Sequence, residues 1–141
     1  MATLFGHAMI ETPRALRLHI DGDALVLNWR WLASRSAGAV CGAAIKANGY
    51  GLGAAEVMKR LSAAGCRDFF VATWAEAAAL ASQVKGRSLS VLHGVGQEDM
   101  EAALGLPARP VLNSIAQVAR WREAGVGRPC GVMVDTGMDR L

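Results

Sequence analysis

Five short apolar runs recur along this chain at intervals of roughly 22 residues, and helix-like segments fill the intervals between them. The runs cover residues 40–46, 68–72, 89–92, 110–112 and 131–135. Short strands that alternate with helices through short connections are typical of βα units around a parallel sheet. The pattern therefore predicts either a (β/α)8 barrel, which needs about three more units, or an open doubly wound sheet.

Capping signals position the predicted helices between these strands. Thr73, with Glu76 three positions later, forms a capping box before a helix predicted to end near Val84. Ser114 is the predicted cap of a helix that ends at Ala124. The other predicted helices are one that starts at Asp21 or Asp23 with Leu25, Trp29 and Leu32 on its apolar stripe, one at 54–64 stopped by Gly65, and one at 97–104.

Composition limits the classes of protein to which the chain can belong. With 141 residues, of which 52% are hydrophobic and 19% charged, the sequence is typical of one globular domain. No apolar run approaches the roughly 18 residues that a membrane span needs. Residues 1–12 lack the pattern of a secretory signal. The net charge is only +3 and the arginines are scattered, so neither a membrane nor a nucleic-acid partner is predicted.

The three cysteines, Cys41, Cys66 and Cys130, are odd in number and have no C-x-x-C spacing, and the three histidines are far apart. Neither a disulfide framework nor a metal site is predicted from such spacing. Buried reduced thiols in a cytoplasmic protein are the expectation.

The first apolar run ends in Lys46, and a glycine-rich loop follows it at 49–53. Alternation along a strand puts Lys46 on one face with Gly42 and Ala44, so little side-chain volume lies beneath the amine. A lysine at the carboxyl end of a parallel strand is well placed to form a Schiff base with a carbonyl cofactor. On composition alone, a strand that ends in a solvated lysine and an ordinary glycine turn explains the segment equally well.

A competing motif overlaps the same loop. Gly49, Gly51 and Ala54 satisfy the dinucleotide-binding pattern G-x-G-x-x-G/A between a strand and a helix. That pattern requires an acidic residue at the end of the next strand, whereas Asp68 precedes that strand's aromatic residues and Thr73 follows them. It also gives no role to the lysine, so we disfavour it. A phosphate-binding P-loop is excluded because the sequence has no G-K-[ST].

Four segments carry a resemblance to a known family. Residues 44–53, Ala-Ile-Lys-Ala-Asn-Gly-Tyr-Gly-Leu-Gly, closely resemble the pyridoxal-phosphate attachment motif of bacterial alanine racemases. Residues 111–114 resemble the fourth barrel strand of that family, and residues 134–141 resemble its signature after the fifth strand. Residues 20–29, with Ile20-Asp21-x-x-Ala24-Leu25 and Asn28-Trp29, resemble the family's opening. The resemblance runs in the family's order and spacing from about residue 14 to the end of the sequence.

The resemblance implies a (β/α)8 barrel of which about the first five strands are present. Residues 1–20 would form a lead-in with a strand at 16–20, and residues 21–141 the N-terminal part of the cofactor-binding barrel. The later barrel units and a C-terminal β domain are expected to be absent from this sequence.

The resemblance also implies the roles of three residues. Lys46 would hold pyridoxal 5'-phosphate covalently and act as one catalytic base, and Tyr50 would donate a hydrogen bond to the cofactor phosphate. Arg140 would lie near the phenolate oxygen of the cofactor, contribute to substrate binding and orient a tyrosine from the other subunit. The implied protein is a cytoplasmic homodimer that interconverts L-alanine and D-alanine and supplies D-alanine for peptidoglycan.

Two positions depart from the family pattern. Met133 stands where the family often has a carbamylated lysine, and alternation with Gly131 and Asp135 predicts that it faces inward. Tyr50 is the only tyrosine, so the second catalytic base is not in this chain. A non-catalytic pyridoxal-phosphate carrier of related fold is therefore the main alternative, and a related decarboxylase or broader racemase is a third hypothesis.

Overall fold

The computed structural model of the protein describes residue 16 and residues 19–139. Its strands are β1 (Ala43–Ala44), β2 (Asp68–Val71), β3 (Ser88–Val91), β4 (Arg109–Leu112) and β5 (Gly131–Val132). Its helices are α1 (Gly22–Arg35), α2 (Lys46–Tyr50), α3 (Ala54–Ala64), α4 (Trp74–Leu80), α5 (Met100–Gly105) and α6 (Ile115–Ala124), with a 3-10 turn at Ala81–Gln83.

The five strands form one parallel sheet in the order β1-β2-β3-β4-β5. A doubly wound sheet reverses its strand order at a switch point, whereas a barrel adds each new strand beside the previous one. The order along this sheet follows the order along the chain. The architecture is therefore that of a partial (β/α)8 barrel, as predicted.

The helices cover the outer face of this sheet. Ile45, Phe69, Val71, Leu89 and Leu112 point to that face and have at most 3% exposure. The helices contribute Val57, Met58 and Leu61 from α3, Trp74, Ala77 and Leu80 from α4, and Trp121 from α6. Burial of each large apolar side chain stabilises the fold by about 1.5–3 kcal/mol, so this layer is the main hydrophobic core.

The inner face is more polar and less covered. Phe70 of β2 and Val111 of β4 alternate with the buried residues and are half-buried. Near the amino ends of the strands, Arg109 Nε donates to Ser90 Oγ at 3.0 Å. The predicted empty space below Lys46 is partly filled, because a Cβ at Gly42 would lie 2.7 Å from the ring of Phe70.

Most predicted helix limits agree with the structure. Helix α3 has the predicted bounds and ends at Gly65 with a φ of 113°, and α6 ends at Ala124 as predicted. Helix α4 has the predicted capping box but ends at Leu80 instead of Val84, because the chain tightens there into the 3-10 turn. Helix α5 begins at Met100, three residues later than predicted.

The prediction for the first helix was wrong at one position, since Leu32 is 53% exposed and does not join the apolar stripe. The predicted strand at 16–20 and the lead-in before it lie largely outside the described residues. Across residues 19–139, no helix combines the length and apolarity required to cross a bilayer.

Candidate functional site

A cavity of about 470 Å3 lies at the carboxyl ends of the strands. Each strand is followed, within a few residues, by at least one residue that lines the cavity. These residues are Lys46 after β1, Ala72 after β2, Leu92 after β3, Asn113 after β4, and Met133 and Asp135 after β5. These positions share the parity of the inner face in each strand. The parallel register therefore brings together residues that are up to 89 positions apart in the sequence, from 46 to 135.

The backbone directly after Lys46 is left-handed. Ala47, Asn48, Gly49 and Tyr50 have φ values of 51°, 52°, 66° and 55°. We call residues 46–50 (α2) the Lys46 turn. For residues with a Cβ this conformation costs roughly 1–2 kcal/mol each, and such strain persists only where the surroundings hold it.

Local hydrogen bonds hold the Lys46 turn in this conformation. The N–H of Gly49 donates to Ile45 O at 2.8 Å, and the N–H of Gly53 donates to Asn48 O at 2.9 Å. The side-chain oxygen of Asn48 accepts the first N–H of α3, from Ala54, at 3.0 Å. Asparagine tolerates the left-handed region better than most residues. Asn48 therefore suits the left-handed backbone at its own position, and its side chain caps the first turn of α3.

Glu76 connects the Lys46 turn to α4. Its Oε1 accepts the N–H of Ala47 at 2.6 Å, and its Oε2 accepts the N–H groups of Ala72 at 2.7 Å and Thr73 at 3.3 Å. The sequence predicts Glu76 only as half of a capping box, which the structure contains. The additional bond across 29 residues joins the ends of β1 and β2 beside the cavity.

The three predicted site residues have different positions in the structure. Lys46 is half-buried and lines the cavity. Tyr50 is 63% exposed on the Lys46 turn and is not among the residues that line this cavity. Arg140 lies outside the described residues. The cavity therefore contains Lys46, while the roles assigned to Tyr50 and Arg140 stay predictions.

The loop after β5 is built around Asp135. Its Oδ1 accepts the N–H groups of Gly137, Met138 and Asp139 at 2.9, 2.8 and 3.1 Å. Asp135 is thus structural at the strand end, and it turns the chain over the cavity. Met133 lines the cavity, as its predicted inward orientation requires, and is 38% exposed.

Asn113 and His93 are polar residues of the cavity that were not predicted as site residues. Asn113 is held by its Nδ2, which donates to Leu92 O at 2.8 Å, and its Oδ1 is buried with no partner within the described part of the chain. His93 also lines the cavity. The feature of the sequence that could have identified Asn113 and His93 is their position just after the strands β4 and β3. Among the described residues, no group of His, Cys, Asp and Glu could hold a metal ion.

Comparison with known proteins gives consistent results for sequence and structure. Residues 20–141 match the family "Alanine racemase, N-terminal domain". An alanine racemase of Methylobacterium nodulans is 43% identical over 89% of this chain, and one of Acidiphilium cryptum is 46% identical over 88%. In each case the match covers 35% of the relative's length, so the chain spans about a third of these proteins.

Solved structures show the same relation. The alanine racemase of Bartonella henselae, solved with covalently bound pyridoxal phosphate, has a TM-score of 0.76 and 36% identity over 86% of this chain and 35% of its own. The alanine racemase of E. faecalis has a TM-score of 0.75 and 27% identity over 87% of this chain and 35% of its own. With its sequence match and its barrel strands, the chain belongs to the alanine racemase N-terminal domain family.

Proposed function

We propose that this chain is the pyridoxal-phosphate-binding part of an alanine racemase, which interconverts L-alanine and D-alanine. The observation that carries the proposal is Lys46, which lines a cavity at the carboxyl ends of the barrel strands. Active sites of (β/α)8 barrels are built at that end. Lys46 also stands in the segment whose sequence resembles the family's cofactor-attachment motif.

The cavity is suited to such a cofactor. Its volume of about 470 Å3 lies within the range of roughly 300–1,000 Å3 that small-molecule sites occupy. The Lys46 amine can form a covalent bond with a carbonyl carbon, and Asn113 Oδ1 is a buried acceptor without a partner among the described residues. An unpaired buried acceptor is costly unless a ligand or water donates to it.

The cofactor, when bound, withdraws electrons from the substrate Cα and so makes its proton easier to remove. In our proposal Lys46 binds the cofactor and, from its side of the cavity, removes or returns that proton. Tyr50 donates to the cofactor phosphate, and Arg140 lies near the phenolate oxygen. Because Tyr50 is the only tyrosine, a tyrosine for the opposite face has to come from another polypeptide segment.

This requirement supports a homodimeric enzyme that shares its sites between subunits. We also propose a cytoplasmic location, to which the free state of Cys41, Cys66 and Cys130 is suited, and a role in supplying D-alanine for peptidoglycan.

The test is reductive labelling of the protein with pyridoxal phosphate and borohydride, followed by peptide mapping. The chain supplies its own controls, since Lys59 and Lys85 are its only other lysines. We expect the label on Lys46 and its loss in Lys46→Ala. Equal labelling of all three lysines, or a label confined to Lys59 or Lys85, would contradict the proposal.

A further inference from the structure

A second cavity lies at the opposite end of the sheet from Lys46. It has a volume of about 370 Å3 and adjoins the amino ends of β3 and β4. Ser88 and Arg109, the first residues of those strands, line it together with Trp121 of α6 and Arg128 of the loop before β5. The cavity is separate from the Lys46 cavity, because the two share no lining residue.

The buried polar atoms without partners concentrate at this cavity. Among the described residues, five buried side-chain nitrogen or oxygen atoms have no hydrogen-bond partner, and three of them belong to residues that line it. These three are Arg87 Nε, Ser88 Oγ and Trp121 Nε1. Trp121 is only 4% exposed. Each of the three groups carries a hydrogen to donate, so the unmet requirement is for an acceptor.

The charge of the lining points to the same kind of ligand. Arg87, Arg109 and Arg128 line the cavity, and within the described ranges no carboxylate does. Asp68 lies nearby, 3.7 Å from Arg109 Nη2. The carboxyl end of α6 adds a partial negative charge of about one half. Three guanidinium groups outweigh both, so the cavity keeps a positive potential.

The guanidinium of Arg87 is already fixed in place. Its Nη1 donates to the carbonyl oxygens of Gln83 at 2.8 Å and Lys85 at 3.1 Å, which leaves Nε for another acceptor. Arg109 is held by Ser90 Oγ at 3.0 Å. Guanidinium groups that are fixed before binding lose little side-chain entropy when they pair with an oxyanion.

We propose that this cavity binds a phosphate monoester, with the phosphate oxygens at Arg87, Ser88, Trp121 and Arg128. The remaining lining is apolar and comes from Leu89, Leu106, Pro107, Ala108 and Pro129. That wall gives the organic part of a monoester a surface that inorganic phosphate cannot use. The inference does not depend on the proposed racemase function, because it uses none of the residues of the Lys46 cavity.

The experiment is calorimetric titration of the protein with phenyl phosphate, with inorganic phosphate, and with chloride at matched ionic strength. We expect phenyl phosphate to bind more tightly than inorganic phosphate, and chloride to show no saturable binding. Lys46→Ala should leave the phenyl phosphate affinity unchanged, which separates this cavity from the Lys46 cavity.

Variants identify the groups that bind. Arg128→Gln should weaken phenyl phosphate binding by about tenfold, the equivalent of one charge-assisted hydrogen bond, and Arg128→Lys should lose less. Arg122→Gln is the matched control, because Arg122 is exposed on α6 and does not line the cavity. Trp121→Phe keeps an aromatic ring but removes the N–H, and should also weaken binding.

Thermal unfolding establishes that each variant is folded before its affinity is compared. No saturable binding to the unaltered protein would overturn the proposal. Equal losses in Arg128→Gln and Arg122→Gln would also overturn it, because the attraction would then be a general effect of charge. Loss of binding in Lys46→Ala would assign the phosphate to the other cavity.

Discussion

At the scale of single residues, Glu76 combines two structural tasks. One carboxylate oxygen caps α4, and the other accepts the N–H of Ala47, next to Lys46. A carboxylate that accepts several backbone N–H groups forms stronger bonds than a neutral acceptor. Glu76 therefore fixes the position of the Lys46 turn against the end of β2.

We expect Glu76→Ala to lower the free energy of unfolding by about 1–3 kcal/mol, because three backbone N–H groups lose their acceptor. Glu76→Gln should cost less, since one oxygen remains. The matched control is Glu101→Ala in the first turn of α5, where only a few tenths of a kcal/mol are at stake. Urea unfolding measures both, and equal values for Glu76→Ala and Glu101→Ala would contradict the role of Glu76.

The burial of Cys66 predicts how the stability of the protein depends on pH. Its side chain is fully buried beside the carbonyl of Asp68, and burial raises the pKa of its thiol above the ordinary 9.0. The thiolate then forms in the unfolded chain at lower pH than in the folded one. The stability from this group is full below pH 9.0 and is lost as the pH rises through the folded pKa.

Urea unfolding should therefore show a fall in stability above about pH 9 that is smaller in Cys66→Ala. Cys130→Ala is the control, since Cys130 is exposed. If both variants lose stability with the same pH dependence as the unaltered protein, burial of Cys66 is not the cause.

At the scale of elements, the Lys46 turn differs most from its prediction. The sequence predicted a strand that runs to Lys46 and a glycine-rich loop at 49–53, whereas the structure has a left-handed turn at 46–50 in which three residues with a Cβ have positive φ. Periodicity and turn propensity identify a turn here but not its hand. The hand depends on Asn48 and Glu76, whose hydrogen bonds run to the first residue of α3 and to the segments that follow β1 and β2.

Alanine substitutions at Gly49 and Gly51 distinguish the cost of backbone strain from the cost of steric contact in this part of the chain. Both have positive φ, 66° and 87°, so an alanine at either position costs about 1 kcal/mol in backbone strain. At Gly49 the added Cβ would also lie 3.1 Å from the nitrogen of Ala54, whereas nothing lies within 4 Å at Gly51. Gly49→Ala should destabilise the protein more than Gly51→Ala in thermal unfolding, and the reverse order would contradict this packing.

At the scale of the whole molecule, we predict little or no racemisation by residues 1–141. Proton exchange on two faces of a substrate needs two bases, and this chain has Lys46 and a single tyrosine. D-alanine formed from L-alanine with added pyridoxal phosphate should not exceed the amount formed by Lys46→Ala. Turnover that depends on Lys46 would contradict this prediction.

The order of strands and helices was determined by the sequence, because apolar periodicity and capping residues act over a few positions. The position of Lys46 at the end of the first strand followed from the same local patterns, as did both ends of α3. The family resemblance then selected the barrel over the doubly wound sheet, and the strand order is that of a barrel.

Only the tertiary structure determined which residues meet at the site. Asn113 and His93 join Lys46 because parallel strands in register end at the same edge of the sheet. The hydrogen bond from Ala47 to Glu76 and the donor-lined cavity at the amino ends of β3 and β4 also depend on strand register and packing. Such contacts join residues far apart in the chain, and their geometry depends on strand register and helix packing, which local sequence patterns do not specify.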